Sequence, residues 1–209
     1  MIQTIYVERA IANHPRTQTV LGRFPTATVI TIERYGEVFN RRSQNFRLQK
    51  KQPALIVAEK HDGHVLPTPP GYGIGGIHNY YFSHLLNCVY DCRYCFLQGM
   101  YRSANYVLFV NYEDFVGGID GALDRHGDDD VYFFSGYDCD SLALESVTGF
   151  VRDILPAFRD RSRAWLELRT KSIQTRPLLD VDPLKRVVVA FSLTPPAVAE
   201  AVEYRAPSV

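Results

Sequence analysis

From residue 80 onward the sequence repeats one pattern, in which a short apolar run is followed by a loop and a helix-like stretch. The apolar runs occupy residues 80–86, 106–110, 131–135, 164–170 and 186–193. The intervening helical stretches lie near residues 112–125 and 141–158. Apolar strands that alternate with helices of this length predict parallel βαβ units. We therefore expect an α/β fold with a barrel-like or open parallel sheet, and functional groups on the loops at the carboxyl ends of its strands.

The first third of the chain predicts a small α/β region of its own. Residues 5–8 and 27–33 are strand-like, residues 9–22 are a polar helix candidate, and residues 53–59 form a further apolar run. A Pro/Gly-rich linker follows at 66–76. These features predict an N-terminal α/β region with its linker over residues 1–75 and an incomplete barrel over residues 76–209. We expect a truncated barrel because the sequence ends about one helix after the fifth apolar run.

Charge and hydropathy restrict the nucleic-acid contacts and the cellular location that we expect for the protein. Lys plus Arg and Asp plus Glu both count 23, so any nucleic-acid contact must be local. With no signal-like h-region and no apolar run near the roughly 18 residues of a spanning helix, we expect a cytoplasmic protein. One basic stretch, RRSQNFRLQKK at 41–51, predicts a solvated strand edge or, alternatively, a face for a phosphate backbone.

The segment CVYDCRYC at residues 88–95 follows directly on the run at 80–86 and carries the clearest chemistry. Cys88, Cys92 and Cys95 have C-x3-C-x2-C spacing, which lets each thiolate hold one iron of a 4Fe-4S cluster and leaves the fourth iron open. The amino and carboxylate groups of S-adenosylmethionine can chelate an open iron, and an electron passed into its sulfonium breaks a C–S bond. The alternative is a zinc site with His78, His84 or Cys139 as fourth ligand.

The longer segment CVYDCRYCFLQG resembles the cluster loop of the radical SAM superfamily, and more narrowly that of the spore photoproduct lyase-like (DNA photolyase-like) proteins. In those proteins an aromatic residue, Leu and Gln follow the third cysteine, as Phe96, Leu97 and Gln98 do here. The likeness extends through LELRTKS at 166–172 and AFSLTP at 190–195. It implies a partial (β/α) barrel, a lyase that binds S-adenosylmethionine, DNA as a partner, and an electron donor such as flavodoxin or ferredoxin. The founding activity reverses a UV-induced thymine dimer in DNA by hydrogen abstraction.

The resemblance also implies a set of cofactor-binding residues. Lys171 and Ser192 fall just past two strands, where they would hold the carboxylate and ribose of S-adenosylmethionine. Past the third strand, the segment that would contact the methionine amino group is Ser135, Gly136, Tyr137 and Asp138. In the family this segment carries an acidic residue, and Asp138 or Asp140 would fill that place. Alternatively, Lys171 is an exposed loop lysine, the Ser192 hydroxyl caps backbone groups, and Asp140 is a helix N-cap.

Two departures from the family pattern bear on the substrate. The lyases place a tyrosine after the third cluster cysteine, where this chain has Phe96, and a hydrogen-donating cysteine just past a barrel strand, where the nearest thiol is Cys139. Cys139 is therefore the candidate catalytic hydrogen donor, or else a small buried residue. The competing functions are a radical SAM enzyme acting on a protein, RNA or small molecule, and a non-enzymatic zinc module that binds nucleic acid through residues 41–51.

Overall fold

The computed structural model describes residues 2–207. The strands in chain order are β1 (Thr4–Glu8), β2 (Thr28–Ile32), β3 (Leu55–Ala58), β4 (Leu66–Pro67), β5 (His78–Phe82), β6 (Leu85–Leu86), β7 (Asp91–Cys92), β8 (Tyr106–Phe109), β9 (Val131–Ser135), β10 (Ala164–Thr170), β11 (Val187–Phe191) and β12 (Glu203–Tyr204). The apolar runs identified in the sequence therefore all form strands.

The helices are mostly short. They are α1 (Pro15–Gly22), α2 (Gly36–Phe39), α3 (Phe46–Lys51), α4 (Leu97–Met100), α5 (Tyr112–Arg125), α6 (Glu145–Thr148), α7 (Phe150–Arg159), α8 (Arg176–Leu179) and α9 (Pro196–Val202), with a 3-10 turn at Arg9–Ile11. No helix within residues 2–207 is long and apolar enough to cross a membrane.

The first sheet has the strand order β2-β1-β3-β8-β6 and is parallel except for the β6–β8 pair. Its central strands β3 and β8 are buried on both faces. Val107 and Phe109 of β8 enter one hydrophobic cluster, whereas Tyr106 and Leu108 enter another. Burial on both faces explains why these strands are continuous apolar runs instead of alternating ones.

The second sheet has the order β11-β10-β9-β5-β4 and is parallel except for the β4–β5 pair. Helices α5 and α7 pack against each other and against β9 and β10. Phe133, Ile154 and Leu166 are completely buried in the cluster that joins these elements. This arrangement leaves the carboxyl ends of β9, β10 and β11 at one common edge.

The mixed α/β fold with parallel sheets is confirmed. The described strands form two open five-stranded sheets and the two-stranded ribbon of β7 and β12, and none of these closes into a barrel. The chain crosses from the second sheet to the first between Phe82 and Leu85. The strand at 106–110, expected in one sheet with the other barrel strands, instead joins the first sheet. There it pairs with β3 of the N-terminal region and, antiparallel, with β6 at the end of the 80–86 run. The division at residue 75 stays a prediction, and strands from both sides of it share the first sheet.

Three local predictions are wrong in detail. The helix expected over 9–22 begins at Pro15, whose fixed φ suits a first helical position. The helix expected over 141–158 is interrupted at Gly149, which has a left-handed φ of 59°. The basic stretch is no strand edge: its second half is α3, capped by Asn45, which accepts a hydrogen bond from the Leu48 amide at 3.0 Å.

Candidate active site

A cavity of about 300 Å³ lies where β9, β10 and β11 end, and the loop that carries the cysteines forms one of its walls. Sequence-predicted residues that line it are Cys88, Cys92, Cys95, Gly136, Tyr137, Cys139, Asp140, Lys171 and Ser192. Ser135 and Asp138 are absent from that lining. Parallel strands present their carboxyl ends at the same edge, which explains how residues so distant in sequence meet here.

The three cysteines of the loop are free thiols. Cys92 is buried in the short strand β7, while Cys88 and Cys95 are half-buried beside it, and the Cys95 amide donates to the Cys92 carbonyl at 3.0 Å. Burial raises the pKa of the Cys88 thiol to about 12. A thiolate at that position therefore needs a nearby cation, such as a bound metal, to be stable.

The cysteine geometry bears on the kind of metal site. Within residues 2–207 no three His, Cys, Asp or Glu side chains are grouped to ligate a single metal ion. In a 4Fe-4S cluster each thiolate binds a different iron, so its ligands need not converge on one point. The three soft sulfur donors on one cavity wall fit such a cluster.

The histidines proposed as alternative zinc ligands lie elsewhere. His84 is 2% exposed and stacks on Phe150 with ring centroids 3.7 Å apart. Burial lowers the pKa of His84 to about 3. His78 stacks on His126 and contacts Asp129 at 3.2 Å. Neither His78 nor His84 lines the cavity.

Lys171 is held by a polar network that the sequence did not reveal. Its ammonium donates to the Ser192 carbonyl at 2.7 Å and to the Thr194 hydroxyl at 3.2 Å, and it pairs with the Glu203 carboxylate at 2.8 Å. The Glu203 carboxylate also accepts hydrogen bonds from Thr194 at 2.6 Å and from Tyr94. Burial opposes the charge on Lys171, but its contacts with Glu203 and Tyr94 raise its pKa above the usual value.

This network has a consequence for ligand binding. A lysine ammonium has three donors, and here Ser192, Thr194 and Glu203 use all of them. A cofactor carboxylate that binds Lys171 must therefore displace one of these acceptors. Glu203 was missed because no local motif marks it: it approaches Lys171 only when β12 pairs with β7. Tyr94 belongs to the cysteine motif, but its hydrogen bond to Glu203 depends on the same pairing.

The stretch after β9 divides between the cavity and the interior. Gly136 lines the cavity at φ 105°, where a Cβ would lie 2.6 Å from the Ser141 hydroxyl oxygen. Ser135 is buried, with its hydroxyl 3.0 Å from that of Ser141. Asp138 turns away from the cavity and accepts a hydrogen bond from Ser83 at 2.5 Å, and burial raises its pKa. Its other carboxylate oxygen has no hydrogen-bond partner within residues 2–207.

Asp140 ties the loop after β9 to the end of β10. Its carboxylate accepts hydrogen bonds from the Thr170 hydroxyl at 2.6 Å, the Lys171 amide at 2.6 Å and the Leu142 amide at 3.0 Å. Residues 141–144 are not helical, so Asp140 is not a helix N-cap. It fixes the backbone from which the Lys171 side chain extends.

Cys139 touches the cavity but lies mostly in the interior. It is 5% exposed and packs in the hydrophobic cluster that contains Val7, Leu85 and Leu108. Burial raises the pKa of its thiol well above the usual value. Phe96 is exposed at the cavity rim and contacts Tyr137, with ring centroids 5.7 Å apart. The role of Cys139 as a hydrogen donor stays a prediction.

The fold and the site together define a parallel-sheet α/β protein with a three-cysteine loop at the carboxyl ends of its strands. The family model for spore photoproduct lyase matches residues 78–208, more than half of the chain, and the chain belongs to this family. No curated protein sequence gives a significant match.

Solved structures of spore photoproduct lyase share the fold. A double mutant with bound AdoMet and dinucleoside spore photoproduct superposes with a TM-score of 0.85 at 16% identity, and a cysteine-to-serine mutant with a TM-score of 0.84 at 16% identity. A tyrosine-to-phenylalanine mutant gives 0.82 at 17% identity. Each match covers 100% of this chain and 61% of the other, so the chain spans about three-fifths of the length of these relatives.

Proposed function

We propose that this chain is the core of a radical SAM enzyme in which Cys88, Cys92 and Cys95 hold a 4Fe-4S cluster. The observation that carries the proposal is that these free thiols line one cavity together with Lys171 and Ser192. When bound, the cluster supplies the electron that cleaves S-adenosylmethionine to methionine and a 5'-deoxyadenosyl radical. Free thiols at all four cysteines suit a reducing compartment, and we place the protein in the cytoplasm.

The protein's own groups would bind and orient the cofactor. Lys171 provides a fixed positive charge for a carboxylate, and the Ser192 hydroxyl provides a donor and an acceptor for the ribose. Gly136 lines the cavity, where its backbone would contact the methionine amino group. Glycine is required there by its φ of 105° and by Ser141, which fills the place of a Cβ. The aromatic rings of Phe96 and Tyr137 at the cavity help exclude water. Asp138 does not line the cavity, and we assign its place in the cofactor site to Asp140.

The proposed substrate is UV-damaged DNA that carries spore photoproduct. Family membership supports it, as does the relative that was solved with dinucleoside spore photoproduct bound. A radical SAM enzyme with a different substrate is the second candidate. It is favoured by Phe96, which has no O–H bond to offer a radical, and by the burial of Cys139.

The test is anaerobic reconstitution with iron and sulfide, followed by dithionite and S-adenosylmethionine. We expect 5'-deoxyadenosine to form, and addition of an oligonucleotide containing spore photoproduct to yield repaired thymines. Formation of 5'-deoxyadenosine without repair would favour the second candidate. A colourless protein that binds zinc and yields no 5'-deoxyadenosine would refute both and support the zinc module.

The donor role of Cys139 is tested in the same reaction. Cys139→Ala should still cleave S-adenosylmethionine but divert the substrate to other products, because a thiol would no longer return a hydrogen atom to the product radical. Cys139→Ser is the matched control for size. Unchanged products and turnover in both variants would show that Cys139 is structural.

A further inference from the structure

A second concavity, of about 600 Å³, lies on the outer side of the cysteine loop, and we name it the basic groove. Its charged lining residues are Arg47, Lys50, Lys51, Arg93, Arg205 and Asp91. Five basic groups thus face a single carboxylate, in a chain whose overall formal charge is zero. A local excess of this kind creates a positive potential that attracts acidic partners.

The basic groove and the cavity lie on opposite faces of the β7–β12 ribbon. Cys92 pairs with Glu203 and Asp91 with Tyr204 in this antiparallel ribbon. Successive side chains of a strand point to opposite faces. Accordingly Cys92 and the Glu203 carboxylate face the cavity network, whereas Asp91 and Tyr204 line the basic groove. The groove therefore lies directly behind a proposed cluster ligand.

Most of the positive charge in the groove is available to a partner. Lys50 pairs with Asp91 at 3.2 Å and so neutralises the one carboxylate of the groove. Its ammonium also donates to Gln98 at 2.5 Å. Within residues 2–207 the exposed side chains of Arg47, Lys51, Arg93 and Arg205 form no ion pair. The Arg93 guanidinium lies 4.6 Å from the centre of the Tyr204 ring, which holds it in place at the groove.

We propose that the basic groove docks an acidic protein that carries single electrons and delivers them to the cluster through the back of the ribbon. The inference rests on the proposed function, because it needs a cluster at Cys88, Cys92 and Cys95. One electron leaves the reduced carrier and enters the oxidised cluster, with no bond made or broken.

The position of the groove favours such a carrier over the backbone of substrate DNA. A substrate must reach the cavity, because Lys171, Ser192 and the cysteines converge there. A strand held in the groove would be separated from the cavity by the ribbon. An electron needs only a short path, and Asp91 and Arg93 each adjoin Cys92 in the chain.

The test compares two charge-reversed proteins with the unmodified full chain, each reconstituted anaerobically. Arg47→Glu combined with Lys51→Glu reverses two groove charges without touching the ribbon. Arg152→Glu combined with Lys185→Glu makes the same charge change at two exposed positions outside the groove lining. The probes are flavodoxin and a plant-type ferredoxin, with affinity and its salt dependence measured by calorimetry and cluster reduction followed by absorbance.

For at least one carrier we expect the groove variant to bind about tenfold or more weakly, with a flatter salt dependence, and to accept electrons correspondingly more slowly. The control variant should match the unmodified protein, and dithionite, which needs no docking surface, should drive S-adenosylmethionine cleavage in all three. Unchanged affinity for both carriers would overturn the proposal. So would a groove variant that loses affinity for duplex DNA but keeps it for the carriers. Failure of the unmodified protein with dithionite would instead count against the proposed function, and carrier affinity would still decide the groove.

Discussion

Replacing Lys171 by Met removes the cation beside Glu203 while keeping most of the side-chain volume. The two charged groups are 2.8 Å apart, and their side chains are 15% and 5% exposed. Loss of one partner of a fully buried pair costs about 3–5 kcal/mol, and of an exposed pair about 1 kcal/mol or less. Because the pair borders an open cavity, we expect an intermediate loss of about 2 kcal/mol in the free energy of unfolding. For a chain of this size that lowers Tm by roughly 4–8 °C.

A double-mutant cycle separates the pair from its surroundings. Glu203→Gln keeps a hydrogen-bond acceptor for Thr194 and Tyr94, so the double variant should recover about 1 kcal/mol relative to the sum of the single losses. Chemical denaturation at neutral pH measures the free energy of unfolding of the unmodified protein, the two single variants and the double variant, all without the cluster. If the stability losses of the two single variants sum to the loss of the double variant within about 0.5 kcal/mol, the pairing of Lys171 with Glu203 is refuted.

The same cycle has a defined pH dependence. Burial opposes ionisation of Glu203, but hydrogen bonds from Lys171 and Thr194 hold its pKa below the usual range. The stabilisation is therefore present at neutral pH and is lost as the pH falls through the folded-state pKa of Glu203. Because the pKa of Lys171 is raised, the stabilisation is lost on the alkaline side only when the pH exceeds the usual pKa of a lysine. A coupling that changes across neutral pH would contradict this assignment.

Three further predictions concern the cavity. Cys92→Ala should prevent cluster assembly, and Cys139→Ala, the matched control, should assemble normally; iron and sulfide analysis decides, and equal iron in both would contradict the ligand assignment. Ser192→Ala should weaken S-adenosylmethionine binding about tenfold with the cluster retained, measured by equilibrium dialysis, and unchanged affinity would place the ribose elsewhere. Gly136→Ala should lower stability by about 1–3 kcal/mol, because its φ of 105° and the 2.6 Å approach to Ser141 exclude a Cβ, and a Tm equal to that of the unmodified protein would refute the strain.

Much of the fold was predictable because its strands are buried. The apolar runs that became β3, β8, β9 and β10 stand out in sequence, and α5 spans the predicted residues 112–125. The pairing of the strands was less predictable, because no local sequence feature distinguishes an apolar run that pairs with β3 from one that pairs with β9. Sequence reasoning therefore placed β8 with the wrong sheet.

The candidate site divides in the same way. The spacing of Cys88, Cys92 and Cys95 is local, so the sequence could identify the cysteine loop. Glu203 is brought to Lys171 by a two-residue ribbon between distant segments, and no propensity predicts such a short pairing. Cofactor roles carried over from the family located Lys171 and Ser192 at the cavity but not Asp138, which turns into the interior to meet Ser83.

The proposed 4Fe-4S cluster of the three-cysteine loop, and its cleavage of S-adenosylmethionine, can be tested directly. The most direct measurement is iron and acid-labile sulfide analysis of the anaerobically reconstituted full chain, together with electron paramagnetic resonance after reduction, before and after S-adenosylmethionine is added. We expect about four irons and four sulfides per chain and a reduced-cluster spectrum that changes when S-adenosylmethionine binds at the open iron. Stoichiometric zinc with no bound iron, or a cluster whose spectrum S-adenosylmethionine leaves unchanged, would contradict it.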